Sequence, residues 1–102
     1  MRTALIGGAS KGLGLGCSKA LAMAGYRVVM CARNAHGLEE AASEVRSLGK
    51  GEVIIHACDL SKRDDIQHLQ EKFQEDNIKI DILVNNVGGP PPKTVTELTE
   101  SD

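Results

Sequence analysis

The sequence predicts an α/β fold, a doubly wound parallel sheet with helices on both faces. Three observations carry that prediction. Four apolar runs are too short for independent helices and stop at Gly, Asn or Asp. Three amphipathic runs with helical spacing separate them. The first connection is a glycine-rich turn, Gly7-Gly8-Ala9-Ser10-Lys11-Gly12-Leu13-Gly14, leading from an apolar run straight into a helical one. Strands that alternate with helices in this way form parallel sheets, because each crossover helix returns the chain to the starting edge.

Taken in order, Thr3-Ala4-Leu5-Ile6 reads as a strand buried on both faces and ended by Gly7-Gly8. From Cys17, apolar residues recur at Ala20, Leu21 and Ala24, the i, i+3, i+4, i+7 spacing of a helix face, with Gly25 as the C-terminal stop. Arg27-Val28-Val29-Met30-Cys31-Ala32 is the second strand, rich in strand-forming residues. Asn34 suits an N-cap, and Leu38, Ala41, Ala42, Val45 and Leu48 mark the inward face of the second helix, which Gly49 and Gly51 end. Glu39, Glu40, Glu44 and Arg46 belong largely to its solvated side.

Val53-Ile54-Ile55-His56-Ala57-Cys58 is the third strand, closing at Asp59-Leu60. Ser61 and Asp64 resemble a capping box that opens a third helix, with Ile66, Leu69 and Phe73 on its inner face and Asp76-Asn77 as its break. Ile80-Asp81-Ile82-Leu83-Val84 is the fourth strand and runs into Asn85-Asn86-Val87-Gly88-Gly89. Pro90-Pro91-Pro92 reads as a stiff extended loop, and Thr99-Glu100-Ser101-Asp102 has the form of another capping box that should open a helix. The order is therefore β-α-β-α-β-α-β. Right-handed crossovers put the first two helices on one face. If the fourth strand returns beside the first, the strand order is 3-2-1-4, the third helix covers the other face, and the switch point lies beside the glycine turn.

Composition narrows the function classes. Twelve basic and fourteen acidic side chains give a formal charge of −2, so no strong field favours nucleic acid or an anionic membrane, and any anion site must be local. Tyr26 and Phe73 are the only aromatics besides histidine, which leaves almost nothing for base stacking. No apolar run approaches a membrane span or a signal peptide's apolar segment, and the expectation is a cytoplasmic protein. Cys17, Cys31 and Cys58 are widely spaced and form no zinc pattern; the expectation is buried, reduced thiols and no metal site.

The glycine turn carries the chemistry. Phosphate oxygens must approach backbone N–H groups closely, and a β-carbon would obstruct either that approach or the backbone angles it needs. Gly8, Gly12 and Gly14 meet this need, the helix start adds partial positive charge, and Ser10 adds a hydroxyl. The nucleotide P-loop pattern fails, because Leu13 follows Gly12 where Lys is required. Gly-x-Gly-x-x-Gly fails as well, since Cys17 stands at its third glycine. What fits is Gly-x-x-x-Gly-x-Gly at residues 8, 12 and 14.

With that turn, the sequence resembles the short-chain dehydrogenase/reductase family, whose motif is Thr-Gly-x-x-x-Gly-x-Gly and whose fold is Rossmann-type. The resemblance covers the whole chain, which is similar to the 3-oxoacyl carrier-protein reductase branch. Gly7 stands where the family usually has Thr, so a hydroxyl that buttresses the turn is absent. Asn85-Asn86-Val87-Gly88 looks like the family's Asn-Asn-Ala-Gly, with Val87 for Ala. The resemblance implies that residues 1–102 form a dinucleotide-binding domain, incomplete at its C-terminal end. It implies cofactor contacts from Gly8, Ser10, Lys11, Gly12, Leu13 and Gly14. Asp59 and Leu60 would meet the adenine, and Asn86, Val87 and Gly88 the adenosine ribose side. Asn85 is read as bracing the sheet.

Cofactor preference is read from the end of the second strand. An NAD site usually places Asp or Glu there for the ribose 2′-OH. Ala32 occupies that position, Arg33 follows, and Lys11 lies in the turn, so two cations can converge on a 2′-phosphate. In similar family members this pair goes with NADP(H), the cofactor expected in preference to NAD(H).

Family chemistry moves a hydride between nicotinamide and a carbonyl or alcohol, with Tyr-x-x-x-Lys handling the proton. The one tyrosine, Tyr26, has Met30 four residues later, and His36, His56 and His68 form no triad or ligand spacing. No catalytic residue is assigned, and the chain alone is expected to be inactive. The leading expectation is the NADP(H)-binding half of a short-chain reductase; the alternative is a non-catalytic nucleotide-binding module or a truncated, inactive product. A small carbonyl or alcohol substrate and a possible homo-oligomer belong to the complete protein. No nucleic-acid or membrane partner is expected.

Overall fold

The computed structural model describes residues 2–48 and 51–85. They form β1 (Thr3–Gly7), α1 (Gly12–Met23), β2 (Arg27–Ala32), α2 (Ala35–Leu48), β3 (Val53–Ala57), α3 (Arg63–Glu75) and β4 (Ile82–Asn85). The sheet is four-stranded and parallel, in the order β3-β2-β1-β4. This is the predicted doubly wound order, with the switch point between β1 and β4. The expectations for Pro90-Pro91-Pro92 and for the capping box at Thr99 lie outside the described residues.

Alternation along the strands sorts the core into two layers. Ala4, Ile6, Val28, Met30, Ala32 and Val53 face α1 and α2, where Leu38, Ala41, Ala42, Val45 and Ala22 meet them. Leu5, Val29 and Cys31 face the other way, against Leu69 and Phe73 of α3. Adjacent residues on a strand serve opposite layers because successive side chains point to opposite faces. β1 is buried along its whole length, whereas β3 buries only Val53 and lies at an edge. Each fully buried Val, Leu or Ile contributes roughly 1.5–3 kcal/mol, so among the strands the central pair β1 and β2 holds the greater part of the core.

The apolar face predicted for α1 is corrected. Ala20 and Ala24 are exposed, while Gly14, Ser18 and Ala22 are buried. Leu21 of the predicted face packs against the core, as does Leu15, but the fully buried stripe is made of small side chains, because α1 passes so close to the strand-to-helix turn that a β-carbon on Gly14 would collide with the Gly8 carbonyl. Ser18 resolves its own polarity by donating from Oγ to the Gly14 carbonyl at 2.9 Å. Hydrophobic spacing could not reveal a contact built from glycine and serine.

Helix ends follow local chemistry. Gly25, at φ 93°, donates to the Ala22 carbonyl and Tyr26 to the Leu21 carbonyl, a Schellman ending. α3 ends in the same way at Asn77, φ 56°, with Asn77 donating to Gln74 and Ile78 to Phe73. Asn34 caps α2 as predicted: its Oδ1 accepts from Gly37 N–H at 3.1 Å. The capping box expected from Ser61 and Asp64 does not form. Lys62 is the N-cap of α3 and makes no side-chain cap bond. Ser61 is held by Asp59, whose Oδ1 accepts from both its N–H and its hydroxyl, and Asp65 Oδ2 accepts from Asp59 N–H at 2.7 Å.

Four strand limits also move: β1 runs on to Gly7 and β4 to Asn85. β3 ends at Ala57, before Cys58, and β4 starts at Ile82, after Asp81. Asp81 instead clamps the start of β1, its Oδ2 accepting from Thr3 N–H and its own N–H donating to the Thr3 carbonyl, both at 2.8 Å.

Candidate functional site

The turn from β1 to α1 is built from left-handed glycines. Gly8 and Gly12 have φ of 62° and 60°, a region that L side chains rarely adopt. A β-carbon on Gly12 would meet nothing within 4 Å, so the backbone there faces open space. The turn is tied to the neighbouring strand end, because Ala9 N–H donates to the Cys31 carbonyl at 3.0 Å. Neither α1 nor α2 has an acidic residue in its first turn, which leaves the positive end of each helix uncompensated; α3, by contrast, carries Asp64 and Asp65 there.

The turn opens onto a cleft of about 870 Å³ at the C-terminal ends of β1, β2 and β3. Gly8, Ser10, Lys11 and Gly12 form one wall, Arg33 and Asn34 lie at the end of β2, and Cys58, Asp59, Leu60 and Ser61 lie at the end of β3. Seven of the sequence-predicted residues are thus brought together: Gly8, Ser10, Lys11, Gly12, Arg33, Asp59 and Leu60. Gly14 is buried beneath the turn and shapes it from below. Leu13 is 57% exposed and stands outside the lining. Asn86, Val87 and Gly88 lie outside the described residues.

Electrostatics within the cleft are mixed. Glu44 is bound to Lys19 at 2.6 Å and Glu40 lies 3.1 Å from His36 Nε2, and Lys11 and Arg33, which line the same cleft, have no ion-pair partner among the described residues. The Ser61 hydroxyl, followed by the Ser61 N–H and more weakly Arg33 and Lys62, holds the Asp59 carboxyl below its ordinary range. Asp59 is therefore an anionic acceptor at neutral pH. It lines the cleft, and the same carboxylate orders the turn after β3, although the strand itself ends two residues earlier at Ala57.

Gly7 and Asn85 are partners across β1 and β4. A β-carbon on Gly7 would come 2.6 Å from Asn85 Oδ1 and 2.8 Å from Leu60 Cδ1. The space left by the missing hydroxyl is thus filled from β4, and Asn85 Oδ1 is buried there without a hydrogen-bond partner. Reading the sequence missed Asn34, Gly37 and Cys58 as lining residues. Asn34 and Cys58 each adjoin a residue already singled out, and that adjacency was the available signal. The expectation of three buried thiols is corrected: Cys31 is buried, but Cys17 and Cys58 are only partly so. Among the described residues no group of three His, Cys, Asp or Glu could hold a metal ion, and no helix is long and apolar enough to cross a membrane.

Comparison with known proteins places this geometry. A family profile described as short chain dehydrogenase matches residues 2–102. Human dehydrogenase/reductase SDR family member 11 is 39% identical over 95 residues, covering 92% of this chain and 36% of the relative. A metagenomic short-chain oxidoreductase solved in complex with NADP superposes with a TM-score of 0.78 at 35% identity, over 86% of this chain and 39% of that one. The L-sorbose reductase of Gluconobacter frateurii, complexed with NADPH and L-sorbose, has a TM-score of 0.80 at 30% identity, over 94% and 36% respectively. The chain spans little more than a third of the length of these proteins. The fold order, the Gly8-Gly12-Gly14 turn and the match over residues 2–102 agree, and the chain belongs to the short-chain dehydrogenase family.

Proposed function

We propose that this chain is the NADP(H)-binding part of a reductase that moves a hydride between nicotinamide and a carbonyl or alcohol. The observation that carries the reading is the cradle at Gly8 and Gly12, two left-handed glycines opening onto a cleft with Lys11 and Arg33 on its walls. A dinucleotide fits this donor set. The diphosphate would lie against the turn and the first turn of α1, where backbone N–H groups and the helix dipole favour an anion. Lys11 and Arg33 would hold the 2′-phosphate, with Ala32 offering no carboxylate to a ribose 2′-OH. Asp59 and Leu60 would border the adenine, joined by Asn86, Val87 and Gly88, and Leu13 and Gly14 would support the turn. The cofactor supplies the hydride; these residues bind it, orient it and select it.

Neighbours whose structures hold NADP or NADPH support the nicotinamide dinucleotide and are consistent with the phosphorylated form. One charge-assisted hydrogen bond contributes roughly 1.5–3 kcal/mol, and about 1.4 kcal/mol is tenfold in affinity. Titration of the chain with NADPH and NADH is expected to show preference for NADPH by about tenfold or more, with Arg33→Ala removing most of that preference and leaving NADH binding unchanged. Equal affinities, or tighter NADH binding, would overturn the assignment.

A second reading is favoured by one specific observation: these 102 residues hold no Tyr-x-x-x-Lys. By themselves they would bind nucleotide without turnover. Ketone-dependent NADPH oxidation by the purified chain would exclude this second reading, while saturable binding without turnover supports it.

A further inference from the structure

β2 and β3 bring two thiols together on the α3 side of the sheet. Cys31 is paired with His56, and Cys58, two residues beyond His56, projects to the same side while its N–H donates to the Ala32 carbonyl at 2.9 Å. Both side chains join the cluster around Val29, Leu69 and Phe73. Cys31 has 0% exposure, whereas Cys58 is half-buried just past the end of β3. Cys58 lines two cavities at once, the 870 Å³ cleft and a pocket of about 300 Å³ formed with His56, Asp65, His68 and Lys72.

We propose that Cys58 is a thiol-modification site that takes small disulfide-bearing molecules as a mixed disulfide, and that this modification and the dinucleotide exclude one another. The exclusion rests on the NADP(H) reading of the cleft; the modification itself does not. In the exchange, the Cys58 thiolate attacks one sulfur of the reagent. The new S–S bond forms as the old one breaks, the Cys58 sulfur is oxidised, and the departing thiolate is reduced and takes a proton from water.

The neighbouring Cys31 thiol is the main influence on Cys58 and favours its thiolate, while burial and the nearby Asp65 and Asp59 oppose it. Reciprocally, contact with Cys58, then burial, push the Cys31 thiol well above its ordinary range, so Cys31 keeps its proton. The cavities on either side leave room for an attached group, and that group would occupy the cleft beside Asp59 and Leu60. Cys17, on α1, is also half-buried but lines neither cavity, which makes it an internal control.

The test treats the full chain with 5,5′-dithiobis(2-nitrobenzoate) and reads each cysteine by peptide mass. Cys58 is expected to react about tenfold faster than Cys17 or more, with Cys31 unmodified and the fast phase absent in Cys58→Ser. Cys31→Val should slow Cys58, and Cys31→Ser, which keeps a donor, should slow it less; the wild-type rate ratio decides the site even if neither variant folds. A Cys58 no faster than Cys17 would overturn the modification site. Saturating NADP⁺ should protect Cys58 and leave Cys17 unchanged. Unprotected Cys58 in a chain that calorimetry shows to bind NADP⁺ would overturn the exclusion. Absence of NADP⁺ binding would overturn the reading of the cleft, and the exclusion with it, with the rate ratio still deciding the modification.

Discussion

At Gly14 an added methyl group would run into the Gly8 carbonyl, whereas at Gly16, two residues further along the same helix, it would meet nothing within 4 Å. Gly14→Ala should therefore cost about 1–3 kcal/mol through overpacking. Gly16→Ala should stabilise by roughly 0.5–1 kcal/mol through helix propensity. Urea midpoints of the two variants check both signs, and NADPH titration should show binding lost only in Gly14→Ala. His56 supplies a pH dependence. Its imidazole, edge-on to Phe73 with ring centroids 6.0 Å apart, is held below its ordinary 6.5 mainly by burial and then by Lys72, partly opposed by Asp76. The unfolded chain therefore binds more protons just below pH 6.5, so stability should rise with pH through that window and be partly lost on acidification. His56→Gln should flatten this slope in denaturant melts recorded across the window. At this scale the left-handed glycines were legible because only glycine suits their backbone. Ser18 and the Gly7–Asn85 contact were not, because a polar residue in the core and a space filled from another strand leave no periodic trace.

Among the elements, β2 matched its predicted limits and Asn34 its predicted cap, since both are set by neighbours in sequence. The limits of β3, β4 and α3 shifted because side chains took over backbone duties: Asp81 at Thr3, and Asp59 at Ser61. The two Schellman endings give a further expectation. Gly25 holds φ 93°, so Gly25→Ala should destabilise by about 1–2 kcal/mol, read as a lower thermal midpoint. Asn77, already a side-chain-bearing residue at φ 56°, should tolerate Gly with little change. The predicted strand order could be anticipated because a 3-2-1-4 order follows from right-handed crossovers once the first and fourth strands pair. The fully buried stripe of α1 could not, since Gly14 and Ser18 are placed there by size and not by hydrophobicity.

For the whole molecule, burial is uneven across the sheet. β1 is buried throughout, while β4 is only partly buried and pairs, among the described residues, with β1 alone. Hydrogen exchange should accordingly be slowest at Leu5, Ile6, Val29 and Met30 and faster at both outer strands, because exchange follows local opening free energy. Among the described residues β4 has one unpaired edge, and an apolar edge of that kind favours association. Sedimentation velocity across a concentration series is expected to show a rising mean mass, and a single concentration-independent species would contradict this. One tether sets a condition on any ligand. The Ala9 N–H bond to the Cys31 carbonyl joins the glycine turn to the strand that ends at Ala32, one residue before Arg33, so the separation between the turn and that strand end is held like the jaws of a gauge. A ligand with two anionic groups is then sorted by the distance between those groups as well as by its charge, and one whose spacing differs can satisfy the turn or Arg33 but not both.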